Sequence, residues 1–198
     1  IKSKVKEVYY SIDDTDIRTN KKAKNILNNK KIIVKKGLLS KQVNKLYKKY
    51  NFVKKNNLPY VTGKLACSSN FFILKDKSFI TNKHSRNVSH LLRYKNQGIL
   101  TSYKTINSDN PKLNCRLNGL ETFSPTKFII DKDLKINFRS YTVKNSKNIN
   151  TYIFHNSKNY KKIKGLKLNN LKLIKFDLNE NGYFDLKRIF KKIYNLGY

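Results

Sequence analysis

The 198-residue sequence predicts an α+β fold of short mixed strands and a few helices. Three observations lead there. Apolar residues fall in brief runs broken by Asn, Asp, Lys, Gly and Pro, which suits strands better than long helices. Two stretches, 84–95 and 184–194, instead carry apolar residues at helical spacing. No repeat of fixed period runs through the chain.

The elements follow in order. Val5, Val8, Tyr9, Tyr10 and Ile12 predict a strand before the acidic turn Asp13-Asp14-Thr15-Asp16. Residues 20–31 are Lys and Asn around a few aliphatics and read as a solvated helix or an unstructured arm. Ser40 caps a predicted helix with Val43, Leu46, Tyr47 and Tyr50 on one face, broken by Asn51–Pro59. Phe71–Leu74 and Ser78–Thr81 predict short strands around a Lys75-Asp76-Lys77 turn. In 84–95, Val88, Leu91 and Leu92 share a side while His84, Arg86, Arg93 and Lys95 lie mainly elsewhere, and Gly98 ends the helix.

Residues 99–106 alternate as a strand would, followed by the turn Ser108–Pro111. Further strands are predicted at Leu113–Leu117, Phe128–Ile130, Leu134–Phe138, Tyr141–Val143 and Asn150–His155. Leu166, Leu168, Leu171, Leu173 and Phe176 alternate in the Lys-rich tail. Phe184, Leu186, Ile189, Phe190 and Ile193 define the last helix.

Charge dominates the functional reading. There are 44 Lys and Arg against 12 Asp and Glu, a net charge of +32. Such a charge repels itself, and a polyanion relieves that repulsion while releasing counterions. Nucleic acid is the expected partner, with an anionic membrane second because no strongly basic amphipathic helix is visible. Lys pairs recur from Lys30-Lys31 to Lys191-Lys192, which favours folded RNA, with phosphate on many sides, over a DNA groove. Lys, Asn, Ile, Tyr and Phe are abundant, which reads as an AT-rich coding genome. The absence of Met and a start at Ile1 suggest processing or an unusual start codon. No run of eighteen apolar residues is present, so no membrane span is expected.

Candidate chemistry is sparse. Cys67 and Cys115 give neither a disulfide framework nor a zinc spacing and read as idle thiols. His84, His90 and His155 have no metal motif around them. Asp13, Asp14 and Asp16 suit a Mg²⁺-binding turn, but more simply balance nearby lysines. Asp131, Asp133 and Lys135 have a nuclease-like spacing that arises easily in Lys-rich sequence. No phosphate-cradling glycine loop or nucleophile elbow occurs. A non-enzyme without metal or cofactor is therefore expected.

Between residues 113 and 154 the chain resembles the universal small-subunit ribosomal protein three (S-three) family. Arg116-Leu117-Asn118-Gly119-Leu120-Glu121 is similar to its G-R-L-x-G-A-E segment, with Cys115 in place of the first glycine. Lys135-Ile136-Asn137-Phe138 resembles K-I-D-Y, and Ile149–Phe154 resembles the closing strand G-V-K-V-W-I-F. The family's RNA-clamping G-x-x-G loop is not found.

The resemblance implies a ribosomal-protein-like fold with basic extensions. Residues 1–60 would be a basic or diverged N-terminal part, 61–155 the α+β domain, and 156–198 a basic extension ending in an amphipathic helix. It implies a structural constituent of a mitochondrial small subunit, bound to rRNA near the mRNA-entrance side of the head. Neighbouring ribosomal proteins and mRNA would be further partners. The expected RNA-binding residues are Arg86, Arg93, Lys95, Arg116, Lys135, Arg139, Lys161 and Lys162. The rival readings are another ribosomal protein, a DNA-compacting protein, and a metal-dependent nuclease.

Overall fold

The computed structural model describes residues 4–16, 18–73, 80–156 and 170–198. They form two compact units: residues 1–62 with 187–197, and residues 63–186 with Tyr198.

The smaller unit opens with β1 (Glu7–Tyr10), α1 (Lys22–Asn29) and β2 (Ile33–Lys36). Its two strands pair in parallel, Glu7 opposite Ile33 and Tyr10 opposite Lys36, with α1 as the crossover. Helices α2 (Ser40–Leu46) and α3 (Lys48–Asn56) follow. Asn51, expected to break the helix, lies inside α3, which ends where Asn57 turns left-handed at φ 53°. Asn57 is also the anchor for α7 (Leu186–Asn195). Lys191 donates to its carbonyl at 3.1 Å and the Tyr194 hydroxyl to its Oδ1 at 2.9 Å.

The larger unit is built on a four-stranded sheet, β3 (Gly98–Ser102), β4 (Thr126–Ile130), β5 (Thr151–His155) and β6 (Leu171–Lys175), in that order and parallel throughout. Before it comes α4 (Lys83–Lys95), capped by the Asn82 side chain, which accepts the Ser85 N–H at 2.9 Å. Between strands lie α5 (Tyr103–Asp109) and α6 (Tyr141–Lys144). A parallel pair needs such a crossover, and with these helices on one face and aromatic side chains on the other, both faces of the sheet are covered. Hence β5, Thr-Tyr-Ile-Phe-His, is buried at every position and does not alternate.

One face joins Ile99, Ile129, Ile153, Leu171 and Leu173 to Ile106 of α5, Val143 of α6 and the loop residues Leu113, Leu134 and Ile136. The other is aromatic. The rings of Phe128 and Tyr152 stack at 5.2 Å, Tyr198 meets Phe128 edge-on at 5.2 Å, and Phe176 meets Phe154 at 5.8 Å. Gly98 is needed there, because a Cβ on it would stand 2.7 Å from the Phe128 ring.

Mixed helices and short strands are thus observed, but the ribosomal-protein-like expectation is corrected. Leu113–Leu117 and Leu134–Phe138 are loops that lend apolar side chains to the core, and Tyr141–Val143 is helical. The alternation over 99–106 spans two elements, since the Ser102 side chain caps α5 by accepting the Lys104 N–H at 3.0 Å. Gly98 starts β3, whereas α4 ends at Lys95. Phe71–Ile73, Ile80 and Thr81 take no strand structure, and residues 74–79, with Leu74, Ser78 and Phe79 of the two expected strands, lie outside the described residues, as do Leu166 and Leu168.

Candidate anion site

A cluster of His90, Arg93 and Arg116 stands out in the larger unit. Helical spacing puts His90 and Arg93 on one side of α4, three residues apart. The loop after α5 brings Arg116 against them. The Arg116 backbone N–H donates to His90 Nδ1 at 3.2 Å, and its guanidinium Nη2 lies 3.4 Å from His90 Nε2. Arg93 Nη1 lies 3.2 Å from His90 Nδ1 and donates to the Asn114 carbonyl at 3.3 Å. Asn114 Oδ1 is buried without a hydrogen-bond partner among the described residues.

No carboxylate pairs with Arg93 or Arg116 in an ion pair among the described residues. Burial, then Arg116, pushes the Arg93 guanidinium below its ordinary value. His90 is pushed down by burial, then Arg93, then Arg116, with only the Asn114 carbonyl opposing. Like charges gathered on a partly buried surface carry an electrostatic cost that a bound anion removes. Arg93 is half-buried and Arg116 exposed, so the cluster opens to solvent.

The other expected residues do not join this cluster. Arg86 donates to the Thr81 carbonyl, and Lys95 is exposed at the end of α4. Lys135 stands 3.7 Å from Asp133, while Arg139 is exposed in the loop before α6. Lys161 and Lys162 lie outside the described residues. His84 is exposed, and His155 is buried at the end of β5. His90, set aside in the sequence for want of a metal motif, is the residue that reasoning missed. Its signal was its place one helical turn before Arg93.

The acidic candidates are committed to structure. Asp16 pairs with Arg18 at 2.6 Å and Lys54 at 2.8 Å, and Asp13 with Lys36 at 2.6 Å. Arg18, then Lys54, holds the Asp16 carboxyl far below the ordinary carboxylate range. Asp14 accepts from the Asp16 N–H at 2.9 Å and the Thr19 hydroxyl at 2.6 Å. Beside this turn is an open cleft of about 280 Å³ lined by Asp14, Val43, Tyr47, Tyr50 and Asn51. Asp131 is buried after β4, where its oxygens accept the N–H groups of Lys135 at 2.9 Å and Ile136 at 2.8 Å. It shapes a loop, and no group of metal ligands occurs among the described residues.

A family model described as the RibD C-terminal domain matches residues 73–197. The chain belongs to the RibD C-terminal domain family. The riboflavin biosynthesis protein RibD of Bacillus amyloliquefaciens is 32% identical over 139 residues, covering 69% of this chain and 37% of that protein. The protein of the same name from Aquifex aeolicus (strain VF5) is 27% identical over 208 residues, covering 99% of this chain and 54% of that protein. The chain thus spans about half the length of such relatives or less.

Solved structures agree in fold. Acinetobacter baumannii RibD, form 2, has a TM-score of 0.74 at 18% identity and covers 99% of this chain and 53% of that one. A diaminohydroxyphosphoribosylaminopyrimidine deaminase/5-amino-6-(5-phosphoribosylamino)uracil reductase from Thermotoga maritima has a TM-score of 0.73 at 20% identity, covering 98% and 52%.

Family membership corrects the ribosomal reading: the S-three resemblance, the small-subunit role in translation, and rRNA and ribosomal neighbours as partners are withdrawn, together with the nuclease and DNA-compacting rivals. The segments that carried the resemblance are unrelated in the fold. Arg116–Glu121 is a loop with a turn, Lys135–Phe138 a loop under the core, and Ile149–Phe154 runs into a buried parallel strand. Net charge misled for a physical reason. Exposed lysines are solvated and screened within about 8 Å at physiological salt, so they need no polyanion.

Proposed function

We propose that the larger unit is a reductase-type domain of a riboflavin biosynthesis protein, and that His90, Arg93 and Arg116 hold the phosphate of a phosphoribosyl-substituted pyrimidine. The observation that carries this reading is the convergence of two guanidiniums on one imidazole with no carboxylate paired to either among the described residues. Arginine forks suit phosphate because their donors match its oxygens in geometry and charge. The buried acceptor Asn114 Oδ1, on the residue whose carbonyl already takes an Arg93 donor, suits a sugar hydroxyl nearby.

The Thermotoga maritima relative's substrate, as its description gives it, carries such a phosphoribosyl group. This reading replaces the expectation of a non-enzyme, which rested on missing motifs; a phosphate held by arginines from a helix and a loop leaves no glycine-rich signature.

The test is calorimetric binding of ribose 5-phosphate to the chain and to Arg93→Gln, Arg116→Gln and Lys95→Gln. A hydrogen bond to a charged group contributes about 1.5–3 kcal/mol, so each arginine change should weaken binding by roughly 10-fold or more. Lys95→Gln, at an exposed residue that makes none of the cluster's hydrogen bonds, should change little. Unaltered binding in both arginine variants refutes the site.

A further inference from the structure

We infer that the cleft beside the acidic turn of the smaller unit binds a small quaternary ammonium ion, held by the rings of Tyr47 and Tyr50 and the charge of Asp14. The site lies wholly within that unit and does not depend on the phosphate reading.

Residues 11–14 leave the carboxyl end of β1, the end of a parallel strand at which open sheets take ligands. Helices α2 and α3, with Tyr47 between them, bring Val43, Tyr47, Tyr50 and Asn51 against this turn. The cleft so formed is about 280 Å³. Pockets for larger ligands run from about 300 to 1,000 Å³, so this one suits a small ion. The rings of Tyr47 and Tyr50 meet edge-on, 6.1 Å apart at 83°, and form an aromatic corner. The Tyr50 hydroxyl donates to Asp14 Oδ1 at 3.4 Å, which ties that corner to the carboxylate.

Charge points to a cation. Asp13 pairs with Lys36, and Asp16 with Arg18 and Lys54. Asp14 has no ion pair among the described residues. The Thr19 hydroxyl, then the Asp16 backbone N–H, hold its carboxyl below the ordinary value, so it is ionised at neutral pH. Ring faces in this chain collect cations: lysines stand over Tyr9, Tyr50, Tyr60, Tyr141, Tyr152 and Tyr194. Lys54 takes one face of Tyr50 at 5.7 Å, and no lysine stands over Tyr47 among the described residues. The Tyr47 side chain is exposed.

Hydrogen bonding decides which cation. Asp13 Oδ1 accepts from the Tyr10 hydroxyl at 2.7 Å and Oδ2 from Lys36 at 2.6 Å. Asp14 Oδ1 accepts the Asp16 N–H at 2.9 Å and Oδ2 the Thr19 hydroxyl at 2.6 Å. Asn51 Oδ1 accepts from the Thr15 hydroxyl at 3.2 Å. Every carboxylate oxygen lining the cleft is already engaged. A primary ammonium or a guanidinium brings several N–H donors and must compete for those oxygens. A quaternary ammonium brings none. It needs negative charge nearby and ring faces to lie against, and the cleft offers both.

The experiment titrates choline into the full chain at constant ionic strength and follows it by proton–nitrogen NMR. Shifts should saturate and concentrate at residues 11–14 and 43–51. Tyr47→Leu should weaken binding about 2- to 5-fold, the range for one exposed contact between a cation and a ring, while Tyr47→Phe keeps the affinity. Asp14→Asn should weaken it by about 2-fold or more. The uncharged carbon analogue of choline, with a tert-butyl group in place of trimethylammonium, should bind more weakly than choline. Circular dichroism establishes that each variant is folded.

The proposal is overturned if the choline shifts do not saturate or lie elsewhere, if the uncharged analogue binds as well, or if a folded Tyr47→Leu or Asp14→Asn binds choline unchanged. Tighter binding of n-butylammonium than of choline overturns the quaternary assignment.

Discussion

Lys127 is buried at a cost to the fold, and replacing it should strengthen the protein. It lies on β4 between Ile99 of β3 and Thr151 of β5, fully buried, with an ammonium that has no hydrogen-bond partner among the described residues. Burial pulls it from the ordinary lysine value of 10.5 down to about 8. Below about pH 8 the folded chain therefore keeps a buried, unpaired charge. At roughly 1.4 kcal/mol per tenfold change in protonation constant, the gap between the two values corresponds to about 3 kcal/mol. Against a typical total stability of about 5–15 kcal/mol this is large.

The sign follows from linkage. Between the two values the unfolded chain binds more protons at this site, so stability rises as pH climbs from about 8 to 10.5. Lys127→Met keeps the length of the side chain and removes the charge. It should raise stability near pH 7 by about 2–3 kcal/mol, with some loss to imperfect packing. Urea unfolding followed by far-ultraviolet circular dichroism, near pH 7 and again near pH 10, measures it. The variant's advantage should shrink at the higher pH. A variant less stable than the parent near pH 7, or an advantage independent of pH, refutes the reasoning.

Three further outcomes follow. Gly98→Ala should destabilise the larger unit by about 1–3 kcal/mol in thermal melts, because its Cβ meets a ring already held by Tyr152 and Tyr198; an unchanged melting temperature contradicts the close approach. Asp131→Asn places an NH₂ where two backbone N–H groups need acceptors, and should cost about 1–3 kcal/mol in urea unfolding; a neutral effect means the loop finds other partners. Asp16 is held below its ordinary value of 3.8, so its stabilisation is fully present above that pH and is lost progressively as pH falls below it toward the lower folded value. Asp16→Asn should flatten the acid limb of the unfolding midpoint against pH, and an unaltered limb rules out the Arg18–Asp16–Lys54 bridge.

Some of this protein is legible residue by residue. The amphipathic repeat of 84–95 is α4, and that of 184–194 lies within one or two residues of α7, because an apolar stripe at helical period leaves few other ways to be buried. Phe128–Ile130 and Asn150–His155 are strands because short β-branched and aromatic runs fit a pleated, buried surface. The acidic turn before the arginine and lysines is local charge balance, as its composition suggested.

The rest belongs to the tertiary structure. Leu113, Leu134 and Ile136 have strand-like sequences yet sit in loops, because the core needed their side chains and the sheet already had its edges. Parallel order cannot be read from strand composition; it comes from α5 and α6 crossing over one face. Arg93 and Arg116 stood in the sequence as two basic residues among many. Only folding sets a helix against a loop 23 positions further on and closes both around His90. Charge along a chain is counted without distance, whereas a site is made of distances, and those exist only once the chain has folded.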